Sequence, residues 1–378
     1  MMLMAIDHIR DYVARSAMQF APTDLTRTTA AIFFTRWITH FCAPVFMLTA
    51  GLGAFFWMNR GRRSKPELSR FLITRGLWLI FLEVTVLRVI LLSQFSYRGH
   101  IVILMILWAI GLSMISLAGL IYLPTRWLVG ASIAIIALHN LLDPIRPERF
   151  GRAAWLWDIL HQQNLFSWMG VNFVTAYPVL PWIGVVAAGY CLGTVFLWDA
   201  IRRQRFLLRL GIALTAAFIL LRTVNIYGDP LRWSHQSSAL FTLLSFLNTT
   251  KYPPSLEFLL MTLGPALIAM SWLDRQHFAV TNPLIVFGRV PFFYYAAHLA
   301  LAHAMAIVLN FARYGRAPFL WIAPPSMGGP TELFPSNYGF PLWVVYAVWM
   351  VALLILYPAC LWFSRLKHRR HDWWLSYL

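Results

Sequence analysis

The chain has 378 residues, of which 60% are apolar and only 12% are Asp, Glu, Lys or Arg, and its 31 Lys+Arg against 14 Asp+Glu give a net charge of +17. Soluble domains carry about 25% charged residues, so this chain could not cover a globular surface with polar groups; water-soluble enzymes, disordered tails, collagens and disulfide scaffolds are excluded. The basic residues lie mainly in hydrophilic segments between apolar runs, which assigns the excess to membrane topology and not to nucleic acid.

At ~20 apolar residues per span, there is room for roughly ten helices. A stub, Met1–Ile6, leads into Asp7-His8. It is too short to cross a bilayer at ~1.5 Å per residue, so it reads as a truncated first helix whose remainder lies upstream, or as a short interfacial helix. Nine apolar runs follow, near residues 30–58, 71–92, 101–123, 127–139, 178–198, 207–224, 255–272, 283–311 and 341–363. The expected fold class is all-α: a polytopic transmembrane helix bundle of about ten helices with the first one truncated, forming a single domain over residues 1–378. Cys42, Cys191 and Cys360 sit inside apolar runs and read as buried small hydrophobes, and no zinc or other metal site is expected.

Loop charge sets the orientation. If the stub counts as a span, the loops 60–75, 124–127, 199–209 and 272–289 and the tail 364–378 hold 17 Lys+Arg in 64 residues, against 13 in 138 on the other side. The denser side should be cytoplasmic. The expected location is a bacterial inner membrane, multi-pass, with both termini cytoplasmic if the first helix is complete. The lipid bilayer is then the first partner, no nucleic acid is expected, and a homodimer is among the assemblies the sequence admits.

In a bilayer the ionisable residues are informative, because each must be paired, buried in protein or exposed to water. In Asp7-His8-Ile9-Arg10-Asp11, helical spacing would let a carboxylate face the imidazole, the pairing that general-base chemistry needs; a helix end solvated by headgroups explains the segment equally. In Phe34-Thr35-Arg36-Trp37-Ile38-Thr39-His40-Phe41-Cys42-Ala43-Pro44, Arg36 and His40 share a helix face, which favours a neutral imidazole. Pro44 cannot donate to the His40 carbonyl, so the helix should kink there. The alternative is a structural pair bonded to neighbouring helices. Gly51 and Gly53 suit close helix packing. Glu83 and Arg88, five apart, face different ways and read as structural glue. Tyr294 and His298 lie four apart after Pro291, while His298 and His303 diverge by ~140°, a poor spacing for one metal ion.

Two further segments, Arg222 to Pro230 and Asn248 to Ser255, are dense in polar and turn residues. Asn225, Asp229, Asn248 and Lys251 could hold a sugar or an oxyanion, or could simply cap helix ends.

The stretch Thr35 to Phe46 resembles bacterial members of the family that shares the catalytic membrane domain of heparan-α-glucosaminide N-acetyltransferase. Asp7 to Asp11, Pro178-Val179-Leu180-Pro181-Trp182-Ile183-Gly184, Asn248 to Ser255, and Gly288-Arg289-Val290-Pro291-Phe292-Phe293-Tyr294-Tyr295 with His298 resemble the same group, so the likeness extends over essentially the whole chain. It implies a transmembrane acyltransferase that takes acetyl groups from cytoplasmic acetyl-CoA, as donor substrate, to an acceptor across the membrane. The family's Asn-Tyr at the end of its first helix falls near Asp7-His8, and its Asp-Leu-x-x-Pro pattern becomes His40-Phe41-Cys42-Ala43-Pro44. No histidine lies between Ile9 and Thr39, where the family has its active-site histidine. His40 or His8 would take that role, or the acetyl group would pass directly from CoA to the acceptor.

The expected catalytic group is thus His40, His8, Asp7, Arg36 and Asp11, with Asn225, Asp229, Asn248, Lys251, Tyr294 and His298 toward a glycan, amine or hydroxyl acceptor. Arg62, Arg63 and Arg289 would meet the phosphates of acyl-CoA. The rival is a transporter or flippase with Glu83, Arg88, Glu257 and the histidines along its path, which asks for broken helices in both halves of the chain.

Overall fold

The computed structural model describes residues 1–92, 97, 101–327, 329–370 and 372. Most of the loop 93–100 and the end of the tail 364–378, both used to orient the chain, therefore lie outside the described residues. Seven helical segments among those described are long and apolar enough to cross a membrane, and α-helix dominates throughout, so the protein is an all-α polytopic membrane protein.

The chain opens with α1 (Met2–Val13) and α2 (Ala30–Trp37), whose first turn is capped by the Thr29 hydroxyl accepting from the Ile32 N–H. A 3-10 turn (Ile38–Phe41) then separates α2 from α3 (Cys42–Arg60). The turn falls where Pro44 leaves the His40 carbonyl without a donor, the kink that its chemistry requires. α4 (Lys65–Leu82) starts with a full capping box: Ser64 accepts from the Glu67 N–H while the Glu67 carboxylate accepts from the Ser64 N–H. It continues through a π turn (Glu83–Leu87) into α5 (Arg88–Leu92).

The run at 101–123 is not one helix but a strand, β1 (Ile101–Leu104), followed by α6 (Ile106–Leu120). After α7 (Thr125–Leu138) and α8 (Ala154–Leu160) come β2 (Leu165–Trp168) and β3 (Val171–Thr175). They form a hairpin whose two-residue turn puts Met169 and Gly170 at positive φ, 50° and 77°, as such tight turns require. β3 also pairs with β1 in parallel, Ile101 opposite Asn172. Continuing, α9 (Leu180–Leu192), α10 (Ala200–Val224), α11 (Ala239–Leu247) and α12 (Leu256–Leu273) precede α13 (Pro283–Arg289) and α14 (Pro291–Tyr314). The apolar run at 283–311 is thus broken at Val290, with Pro291 taking the first helical position of α14, where its absent N–H costs nothing. The last helix is α15 (Leu342–Arg369).

The chain divides into two compact units, Met1–Cys42 with Val86–Phe95 and His277–Leu378, and Ala43–Thr85 with Ser96–Gln276. In the second unit, α10 packs on α12, α4 on α6 and α7 on α9. Gly76 and Gly111 let α4 and α6 approach so closely that a Cβ on either would sit 2.6 Å from the other's carbonyl oxygen. Gly51 meets the Val186 carbonyl in the same way, whereas Gly53 faces open space. Backbone contact through small residues is the usual route to association where lipid removes the hydrophobic drive between helices. The outward faces remain apolar, with Leu220 65% exposed on α10, as a hydrocarbon solvent permits and water does not. In the first unit, α1 is enclosed by α14 and α15. At 12 residues it is about 18 Å long, and it is a core element: Ile9, Tyr12 and Val13 are almost wholly buried.

Candidate functional site

The first unit concentrates buried charge on α1. Asp7 accepts from the Arg36 guanidinium and pairs with Arg10 at 3.0 Å, while Arg10 Nη2 also donates to Asp11 at 2.6 Å. Two carboxylates and two guanidiniums form one network of balanced charge, and all four side chains are at most one-fifth exposed. Asp11 therefore sits on Arg10, and Arg36 reaches across to α1. A buried guanidinium demands a counter-charge more strongly than a neutral imidazole does. His40 lies in the 3-10 turn, buried, four residues after Arg36. The α2 segment is tied to α15 by the Thr35 and Tyr346 hydroxyls, 2.9 Å apart.

α14 supplies the imidazoles that face α1. The rings of His298 and His8 are 5.3 Å apart, and His303 stacks on Tyr12 at 4.9 Å. The five-residue spacing of His298 and His303 thus serves two different residues of α1. His298 Nδ1 lies 3.0 Å from the Tyr294 carbonyl, which can only accept; Nδ1 therefore carries the proton and Nε2 bears the lone pair. That Nε2 is buried and has no hydrogen-bond partner among the described residues. The Tyr294 ring, which stacks on His298 at 5.3 Å, keeps its hydroxyl in the same condition, as do Nε and Nη1 of Arg10. Buried polar groups are nearly always satisfied, so unengaged atoms of this burial are exceptions among the described residues. Sequence reasoning gave His298 a binding role and passed over Arg10 as a donor. Only packing shows which nitrogen of an imidazole or guanidinium is already engaged.

The other expected residues fall in the second unit or on exposed ends. Asn225 ends α10 in a left-handed conformation, its amide exchanging two hydrogen bonds with the Trp233 backbone. Asp229 accepts from the Thr250 N–H and hydroxyl, the Ser255 hydroxyl and the Leu231 N–H, at 2.6–2.8 Å. The Asn248 carbonyl accepts from Arg222, and Lys251 lies 5.1 Å from the Tyr252 ring. These residues organise the loop on which they stand. Arg222 is the centre of that organisation: it donates to Glu257 at 2.8 Å and to the carbonyls of Leu231, Ser245, Phe246 and Asn248. Glu83 accepts from the N–H groups of Leu107 and Trp108 and so satisfies the first N–H groups of α6. The sequence gives no signal for the pairing of buried His161 with the part-exposed Asp143, 2.9 Å apart and 18 residues distant. Arg63 donates to the Trp57 carbonyl at 2.5 Å and lies over the Trp57 ring at 4.0 Å; Arg62 and Arg289 are exposed.

Helices long and apolar enough to span a membrane, with a network of two carboxylates and two guanidiniums and a buried imidazole on α14 facing α1, define a polytopic membrane protein with ionisable groups in its interior. The catalytic-domain model of heparan-alpha-glucosaminide N-acetyltransferase matches residues 1–227, three-fifths of the chain, and the protein belongs to that family, whose general activity is acetyl transfer at a membrane from a donor of the acetyl-CoA type. The matched stretch includes α1, α2 and α10; the stretches at 248–255 and 288–298 lie beyond it. Neither the curated proteins nor the solved structures compared with the chain match it.

Proposed function

We propose that the protein transfers an acetyl group from cytoplasmic acetyl-CoA to an amine or hydroxyl of a glycan or small molecule on the outer face of an inner membrane, with His298 as general base. The observation that carries this reading is the lone pair of His298 Nε2, buried, aligned by the Tyr294 carbonyl and backed by the His8 ring. The acceptor N–H or O–H gives its proton to Nε2 as its heteroatom bonds to the acetyl carbonyl carbon. The C–S bond then breaks, and the proton passes to the departing CoA thiolate. The Tyr294 hydroxyl, on the ring that stacks on His298, is the unengaged donor offered to the oxyanion of the tetrahedral intermediate, while Asp7 holds the Arg10 and Arg36 guanidiniums beside α1. His8 and His40 are the residues through which an acetyl-histidine route would run. The exposed Arg62 and Arg63, and separately Arg289, offer cations to the phosphates of the donor.

Sealed vesicles loaded with labelled acetyl-CoA on the Arg-rich face test the reading. Label should appear on an acceptor at the opposite face, and His298→Ala should slow its appearance about 10²–10⁴-fold while His40→Ala has a much smaller effect. Loss of transfer with His40→Ala alone would move the base to the 3-10 turn. Breaks at Ile38–Phe41 and at Val290 favour transport as the second reading; substrate flux in vesicles lacking acetyl-CoA would support it.

A further inference from the structure

At the far end of α14 an open groove of about 470 Å³ is lined by Ile307, Phe311, Ala317, Leu320 and Trp321, with Arg316 as its single charged side chain. Its floor is built. Leu320 belongs to a packed cluster with Phe319 and Tyr338, and Tyr338 is held by Asn310 at 2.9 Å and by rings of Tyr314, Phe319 and Phe334 within about 6 Å. α14 ends at Gly315, at φ 69°, so Arg316 stands immediately past the last turn of a helix long and apolar enough to cross a membrane. Trp321, 64% exposed, stands beside it, the pairing found at membrane interfaces.

The two arginines of this corner differ. Arg313 is consumed by the fold: it donates to the carbonyls of Gly339 and Asn337 and lies over the Tyr314 and Phe340 rings. Arg316 is exposed and makes no hydrogen bond or ion pair with any described residue, and no acidic side chain lines the groove. An exposed guanidinium at the edge of an apolar groove, just past the end of a helix long enough to span, matches the chemistry of a phosphate joined to a hydrocarbon chain.

We infer that this groove is a binding site for an anionic phospholipid, its acyl chain lying along Phe311, Leu320 and Trp321 and its phosphate paired with Arg316. The site is independent of the acetyl-transfer reading. The test is native mass spectrometry of the purified full-length protein, titrated in detergent with phosphatidylglycerol or phosphatidylcholine, with inorganic phosphate as a third arm. Phosphatidylglycerol should be retained over phosphatidylcholine, and Arg316→Ala should lower that preference about fivefold, the scale of one cation at a membrane surface. Arg316→Lys should keep most of the preference. Ala317→Trp, which fills the groove without touching the charge, should displace both lipids. Arg275→Ala, which removes an exposed cation elsewhere, should change nothing; an equal loss there would reduce the effect to net charge and overturn the site. Phosphatidylglycerol retention unchanged in both Arg316→Ala and Ala317→Trp would do the same, as would inorganic phosphate displacing the lipid at equal concentration.

Discussion

In the unit formed by Ala43–Thr85 and Ser96–Gln276 the guanidinium of Arg222 is consumed by the fold, whereas around α1 and α14 the equally buried His298 and Arg10 keep polar atoms unengaged. Arg222 spends its guanidinium on Glu257 and four carbonyls, and Asp229 takes four donors. His298 and Arg10, equally buried, leave Nε2, Nε and Nη1 available. Charge in a membrane protein therefore does not by itself mark chemistry. What separates scaffold from site is whether the chain supplies every hydrogen bond the group can make.

The sharpest way to break this contrast is to remove the scaffold pair. Arg222→Ala would strand Glu257 and four carbonyls, a loss of about 3–5 kcal/mol for a broken buried ion pair. Most of the protein should fail to elute as a monodisperse species in size-exclusion chromatography, and Arg222→Lys should not restore it, because one ammonium cannot reach five acceptors. A normal elution profile for Arg222→Ala would mean that the pair is dispensable and the contrast false. On the other side, His298→Ala should leave chromatography nearly unchanged and cost less stability than Arg222→Ala, while acetyl transfer falls about 10²–10⁴-fold, the range for loss of a general base.

Asp7→Asn probes the boundary between the two cases. It leaves Arg10 and Arg36 facing one carboxylate, which should lower stability by about 1–3 kcal/mol and slow transfer as well; Asp7→Asn combined with Arg36→Gln should recover part of the stability, measured as a shift in the unfolding midpoint. Glu83→Gln should cost about 1 kcal/mol by weakening the hydrogen bonds it accepts at the start of α6, with transfer unaffected. Smallest is the capping box of α4. The Ser64 hydroxyl and N–H hold the Glu67 carboxyl below its ordinary value of 4.5. Because the folded state lowers this pKa, the contribution is complete above pH 4.5 and is lost as pH falls through the folded value. Glu67→Gln should flatten that acid limb of the unfolding curve.

Composition was enough to define the class of this protein, because a chain that is 60% apolar with 12% charge has only one solvent in which it can fold. Local chemistry also fixed the breaks at Pro44 and Pro291, since proline acts on its own neighbours. The three-stranded sheet was hidden, because β1 finds β3 some 70 residues later and an apolar run of that length also suits a helix. The site was partly legible: Asp7, His8, Arg36 and His298 are visible as costly residues in apolar surroundings. That Arg36 reaches Asp7, that Arg222 meets Glu257, and that His298 keeps its Nε2 lone pair were decided only in three dimensions. A hydrogen bond depends on which atoms of distant helices meet, and sequence spacing specifies faces along one helix alone.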